Sequence, residues 1–317
     1  MIDILSFGSE CGSLSRLISL GSFLSDREDD LTEQIKLYLK TGISYPKARE
    51  KAFLSLGCSK SDADILRERN AYLREPNNLL GLEYLMALKR RNSSIHPFCI
   101  PRKQSSHRSL DLTGSISSAS AIRSQLAVFD GLSKCLESIP KNLHPILRED
   151  YRRCFPILLD DFSDLLSYKL CMEDSFEDYW DISKDLSDRL IRMAVPGRPF
   201  SCQIEAVKNK SLTWSRISRG LLHILLGMKQ EMKDSYTRSE QPLYFQILGF
   251  KKEASSLIRE IKKKKTWPMV RHLRPLDDPL TKVQLQMLQT EQKADALYQM
   301  MLRSKFKTQV KEEQIII

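Results

Sequence analysis

The chain has 317 residues, room for about two domains at roughly 150 residues each, with 41% hydrophobic and 28% charged residues. That balance belongs to a folded globular protein and excludes a disordered chain. The net charge of +10 points to an anionic partner: nucleic acid, a nucleotide or an acidic membrane surface.

Seven cysteines (Cys11, Cys58, Cys99, Cys135, Cys154, Cys171, Cys202) are scattered, odd in number and without a C-x-x-C pair. This argues against a disulfide framework or a zinc site and for a reducing cytosol. The first residues carry no basic segment followed by an extended apolar one, and no apolar run approaches the roughly 20 residues that span a bilayer. A soluble, cytoplasmic protein with no membrane partner is expected.

In chain order, Ile2, Ile4, Leu5 and Phe7 form a short apolar run that stops at Gly8-Ser9, the pattern of a buried strand ending in a tight loop. Leu31, Ile35 and Leu39 mark a helix with Asp29, Asp30 and Glu33 in its first turn, where the helix dipole favours acidic groups. Gly42 ends it, and Pro46 opens a helical stretch through Phe53 and Leu56. A third helix is predicted from about Asn78 to Leu88, and residues 95–100 read as a second strand. Residues 101–118 are polar and irregular, the mark of a functional or disordered loop. Ser117, Ser118 and Ser120 then lead into a helix. Alternating strands and helices predict an α/β fold with a parallel sheet. Beyond about Ala127 no convincing strand remains, and residues 158–170, 186–193, 217–228 and 254–261 carry helical apolar spacing.

Four segments carry candidate chemistry. Gly8, in Phe7-Gly8-Ser9-Glu10, lies at the carboxyl end of a parallel strand, where open α/β sheets bind ligands. The plainer alternative is a glycine that only turns the chain. Asn77 sits where an N-cap is expected, so its amide either satisfies free helix amides or reads a nucleotide's sugar or base edge. Arg102 follows the second strand, where a guanidinium suits a phosphate or is simply solvated. Ser118 at a helix start, with Arg123 one turn in, matches a phosphate cradle, a pattern that many ordinary helices share.

In this order and spacing, Gly8-Ser9-Glu10, Ile43-Ser44-Tyr45-Pro46-Lys47-Ala48-Arg49, Pro76-Asn77-Asn78-Leu79-Leu80-Gly81-Leu82-Glu83-Tyr84 and Ser118-Ala119-Ser120-Ala121-Ile122-Arg123 resemble the bacterial tRNA(Met) cytidine acetate ligases. Residues 208–219 and Leu248-Gly249-Phe250 are similar to that family's helical domain. The resemblance implies a Rossmann-like nucleotidyltransferase domain over residues 1–127, lacking its first third, and an all-α tRNA-binding domain over residues 128–317. It implies an ATP-dependent ligase, with magnesium beside the ATP. Acetate joins AMP with release of pyrophosphate, and the acetyl group passes to N4 of the wobble cytidine of elongator tRNA(Met). ATP contacts are implied at Gly8, Asn77 and Arg102, with Ser118 and Arg123 following.

The sequence departs from the family most in its first motif. The H-x-G-H motif that holds the ATP phosphates is absent; His96, His107, His144, His223 and His272 are isolated. No catalytic residue is assigned, an incomplete reading frame is expected, and the chain alone is expected to bind ATP weakly and catalyse nothing. Without flanking strands, the edge and apolar faces of the strand at residues 2–7 are expected to be exposed.

In the basic second half, Lys208, Lys210, Arg216 and Arg219 are the candidate tRNA contacts, interleaved with Trp214. Lysine and arginine neutralise phosphates, and aromatic rings stack on unpaired anticodon-loop bases. Ser211 and Leu212 stand where the family pattern has a basic and an aromatic residue, and the lysine run at 262–265 reads as solvated helix surface. Two other functions stay open: a non-catalytic RNA-binding protein derived from the same family, and a nucleotidyltransferase acting on a small phosphate ester.

Overall fold

The computed structural model of the chain describes residues 2–56, 72–102, 111–112, 114–209, 212–239, 243–265, 267–271, 274–275, 279–310 and 315–316. Two compact units divide it: residues 1–125 with 134–140, and residues 126–133 with 141–317. Relative to a border after residue 127, residues 126–127 lie with the second unit and residues 134–140 with the first.

The first unit runs β1 (Ile4–Ser9), α1 (Leu14–Ser25), α2 (Glu28–Lys40), α3 (Tyr45–Ser55), α4 (Pro76–Arg90), β2 (His96–Pro101) and α5 (Ala119–Ala127). β1 and β2 pair in parallel with Gly8 opposite Ile100 and Ser9 opposite Pro101, so both strands end at the same edge of the sheet. The predicted strands and the helices over 31–39, 46–56 and 78–88 are all present. Helix α1 is an addition: Leu17, Leu20 and Leu24 fall on one face and are buried. It packs on α4, which in turn packs on β1. Phe7, Leu82, Leu85 and Met86 join these leucines in the core.

Period-two alternation puts Phe7 and Ser9 of β1 inward and Ile4, Ser6 and Gly8 outward. The outward face is apolar yet uncovered: Ile4 is 62%, Phe98 57% and Ile100 51% exposed. Parallel sheets normally carry helices on both faces. Among the described residues, the second face has none.

The second unit is mostly helical: α6 (Gly131–Cys135, reaching into the first unit), α7 (His144–Asp150), α8 (Ser163–Met172), α9 (Lys184–Met193), α10 (Phe200–Val207), α11 (Trp214–Leu226) and α12 (Gln230–Arg238). After β3 (Phe245–Ile247) and β4 (Gly249–Phe250) come α13 (Ser255–Lys264), β5 (Met269–Arg271), β6 (Arg274–Pro275), α14 (Lys282–Phe306) and β7 (Ile315–Ile316). The all-α reading of residues 128–317, with no strand beyond about Ala127, needs one amendment, because short strands are present: β3 pairs with β5, β5 with β6 and β4 with β7. At two or three residues each, they are too short for alternation to register in the sequence. The main core gathers Leu166, Phe176, Leu186, Leu190, Phe200, Ile204, Ile217, Leu221 and Ile224 from α8 to α11 and the loop between α8 and α9. Among the described residues no helix is long and apolar enough to cross a membrane, and all six described cysteines are free.

Candidate functional site

The carboxyl ends of β1 and β2 meet the amino end of α4. The strand ladder continues one step further, with Arg102 N–H donating to the Ser9 carbonyl at 2.9 Å. Pro76 takes the first helical position of α4, where its missing N–H costs nothing. The N-cap position is Glu75, and no side chain of its own caps the helix. Asn77 therefore is not the N-cap; it lies inside the first turn. The cap comes from across the chain: Glu10 Oε2 accepts from Asn78 N–H at 3.0 Å, and Glu10 Oε1 accepts from Asn77 Nδ2 at 2.6 Å. A guanidinium nitrogen of Arg102 lies 3.7 Å from Oε1 of the same carboxylate. Three segments that the sequence presents separately meet on Glu10, a residue it assigns no role.

A second, buried layer supports the first. Ser9 and Asn78 are almost wholly buried, and Ser9 Oγ donates to Asn78 Oδ1 at 2.7 Å. That oxygen also accepts from Cys11 N–H at 3.1 Å, while Ser9 Oγ accepts from Gly12 N–H at 3.2 Å. Buried polar groups laced in this way specify one arrangement of the loop after β1. Gly12 is required there: its φ is 62° and a Cβ would stand 2.9 Å from Pro101 Cβ.

Gly8 is different. A Cβ placed on it meets nothing within 4 Å, and its φ is not positive. Neither packing nor backbone conformation demands glycine at this strand tip.

Burial would raise the Glu10 carboxyl. The Asn77 side chain and the backbone amides of Glu10, Asn78 and Asn77 outweigh it and hold the group below its ordinary value. Glu10 is thus an anion at neutral pH, sitting where the α4 dipole favours one. With Nδ2 of Asn77 turned to Glu10, its Oδ1 is left to accept from a ligand hydroxyl or amino group, an orientation set by the hydrogen-bond network. Arg102, a quarter exposed, offers charge at the same edge.

The remaining candidates are not joined to this cluster by any hydrogen bond or ion pair among the described residues. Ser118 is buried and its Oγ accepts from Ala121 N–H at 3.0 Å, capping α5. Arg123 is exposed, with a terminal nitrogen 3.4 Å from Ser120 Oγ. Lys208 is exposed and pairs with Glu205 at 3.2 Å. On α11, Ile217, Gly220, Leu221 and Ile224 are buried while Arg216 and Arg219 face outward. Arg216 has no ion pair among the described residues, whereas Arg219 Nε bonds Asp181 Oδ2 at 2.5 Å. Leu212 belongs to the core, its N–H bonded to Asn209 Oδ1 at 2.7 Å. Lys210, Ser211 and His107 lie outside the described residues. No cluster of three or more His, Cys, Asp or Glu able to hold a metal occurs among the described residues.

A model of the HIGH nucleotidyl transferase family matches residues 1–314. The tRNA(Met) cytidine acetate ligase of Halothermothrix orenii is 32% identical over 301 residues, which is 93% of this chain and 71% of the relative. That of Thermoanaerobacter sp. is 32% identical over 275 residues, 85% of this chain and 65% of its own. The crystal structure of apo Thermotoga maritima TmcAL matches with a TM-score of 0.82 at 24% identity, over 98% of this chain and 76% of that one. The same protein bound with alpha-thio ATP matches with a TM-score of 0.82 at 24% identity, over 100% of this chain and 77% of that one. The solved structures therefore share the fold, and this chain spans between 65% and 77% of the length of these proteins. On the family match over residues 1–314 and the identity to these relatives, the chain belongs to the HIGH nucleotidyl transferase family, among the tRNA(Met) cytidine acetate ligases.

Proposed function

We propose that the protein forms part of a cytoplasmic ATP-dependent tRNA(Met) cytidine acetate ligase, with residues 1–127 shaping part of the nucleotide site and residues 128–317 holding the tRNA; without an H-x-G-H motif, these residues alone bind ATP weakly and do not complete the reaction. The observation that carries this reading is the meeting of Asn77 and Arg102 on Glu10, at a strand tip where Gly8 leaves open space. A carboxylate oxygen of acetate attacks the α-phosphorus of ATP, the bond to the β-phosphate breaks and pyrophosphate leaves. N4 of the cytidine then attacks the acetyl carbon, losing a proton as AMP departs. Arg102 would steady the phosphate charge, Asn77 Oδ1 would accept from the ribose or base, and Gly8 would let the nucleotide lie against β1. Arg123 would be a further phosphate contact, with Ser118 holding the start of its helix.

Magnesium accompanies ATP by resemblance to the family, but Glu10 does not suit it. Both oxygens of that carboxylate already face N–H donors, and a guanidinium lies beside them. No step is assigned to the metal. Lys208, Arg216 and Arg219 would contact tRNA phosphates, and Lys210 joins them on the resemblance alone.

Deleting the gene tests the reading in the cell. Elongator tRNA(Met) is expected to lose N4-acetylcytidine at its wobble position, read by mass spectrometry of the nucleosides. An unchanged level overturns the ligase reading. If the purified chain still binds tRNA with a steep salt dependence in that case, the non-catalytic RNA-binding function replaces it.

A further inference from the structure

Arg219 reaches the surface of the second unit, but it is not loose. Its partner Asp181 ends a short loop, Asp178 to Asp181, that leads into α9, and it is locked from several sides. Trp180 N–H donates to the Met228 carbonyl at 3.0 Å, and Gln230 N–H donates to the Asp178 carbonyl at 2.7 Å. His223 Nδ1 lies 2.9 Å from the Trp180 carbonyl, and the two rings meet tilted by 31° with centroids 5.2 Å apart. The loop is seated so closely on α11 that a Cβ at Gly220 would stand 2.6 Å from Ile182 Cδ1. Asp181 itself holds φ at 66°, a conformation that Asp, Asn and Gly accept more readily than other residues.

The carboxylate is therefore a fixed point relative to α11, and it takes Arg219 through Nε alone, at 2.5 Å. Both terminal guanidinium nitrogens are left without a partner among the described residues, forming the fork that matches a phosphate. Arg216 presents its side chain one turn earlier, and Trp214, 39% exposed, stands in the first turn of the same helix.

We propose that Asp181 is a positioning residue that aims the Arg219 guanidinium at an RNA phosphate. This rests on the tRNA reading of the helical unit and deepens it. A long arginine loses rotamer freedom when it binds; one already held by Asp181 has given up part of that freedom beforehand. Charge alone predicts the reverse, because Asp181 is an anion facing a polyanion and its removal would tighten binding.

The opposite signs make the test. Affinity for tRNA(Met) is measured by filter binding over a salt series in wild type, Asp181→Gly, Asp181→Asn, Arg219→Ala and the Asp181→Gly/Arg219→Ala pair. Glycine keeps the left-handed backbone without the carboxylate; asparagine keeps both the backbone and an acceptor oxygen. Asp181→Gly is expected to weaken binding about five- to tenfold, the size of the ordering cost of one long side chain at an interface. Asp181→Asn is expected to restore most of it, and the double variant to bind no more weakly than Arg219→Ala. Binding by Asp181→Gly equal to or tighter than wild type overturns the inference, as does additivity in the double variant. Absence of salt-dependent tRNA binding by the wild type overturns the tRNA reading itself, and this inference with it.

Discussion

Glu10→Ala is expected to lower both the stability of the first unit and its affinity for ATP. In stability, the substitution leaves the Asn78 amide at the start of α4 without its acceptor, and frees Asn77 Nδ2 and Arg102 together. Loss of a helix cap of this kind costs about 1–2 kcal/mol. In binding, Asn77 and Arg102 lose the anchor they share, and affinity is expected to fall by roughly tenfold or more. A carboxylate that only repelled the phosphates would give the opposite sign, so tighter ATP binding by Glu10→Ala contradicts the positioning role. The acid dependence follows from the same contacts. The folded carboxyl is held below its ordinary value, so the native state binds a proton less readily than the unfolded chain. Its contribution is fully present above about pH 4.5, the unfolded value, and is lost as pH falls through the lower folded value. Urea unfolding of wild type and Glu10→Gln should therefore differ near neutrality and converge below that point. A difference that grows with acid would show the sign to be wrong.

Gly81 offers the second large effect. Helix α4 crosses β1 so closely here that a Cβ at position 81 would stand 2.5 Å from Phe7 Cε2 and 2.8 Å from Cδ2. The ring is buried and meets Tyr84 edge-on at 6.0 Å, so it has nowhere to retreat. Alanine gains up to about 1 kcal/mol of intrinsic helix propensity. Overpacking costs about 1–3 kcal/mol, and valine adds a second branch against the same ring. Gly81→Val is accordingly expected to destabilise by about 3 kcal/mol in denaturant unfolding. Adding Phe7→Leu should recover part of the loss, a coupling that a double-mutant cycle reads directly. Because Phe7 adjoins Gly8, the displaced strand tip should also bind ATP less well. Full stability in Gly81→Val would mean that helix and strand are not in the contact described.

The parts of this architecture written in local pattern were legible. Apolar runs stopping at Gly8 and Pro101 mark β1 and β2, and 3.6-residue spacing marks α2, α3, α4, α9 and α11. Two further helices carry readable local signs. Leu17, Leu20 and Leu24 trace the buried stripe of α1 through serines and a glycine. Thr281 and Gln284 form a capping box at the start of α14, with Thr281 Oγ1 accepting from Gln284 N–H at 3.2 Å and Gln284 Oε1 from Thr281 N–H at 2.9 Å. Pro76 likewise marks the true first position of α4, which moves Asn77 inside the helix.

What the local pattern does not carry is pairing at a distance. Glu10 finds Asn77 across 67 positions of sequence, and Arg219 finds Asp181 across 38. Nothing in the spacing of either residue announces its partner, since only the packing of α4 on β1, or of the 178–181 loop on α11, brings them together. Ser118 shows the converse. As a helix-start hydroxyl it was legible, and the work it does is the ordinary one of a cap.

Gly8 is expected to lie under the bound nucleotide, and ATP titration of purified Gly8→Val measures this directly alongside its melting temperature. A Cβ there meets no atom of the described protein within 4 Å and the backbone is not left-handed, so Gly8→Val is expected to melt as wild type does. ATP affinity is expected to fall by about tenfold or more as the new side chain fills the ligand's place. Wild-type ATP affinity in a normally folded Gly8→Val protein would contradict the account.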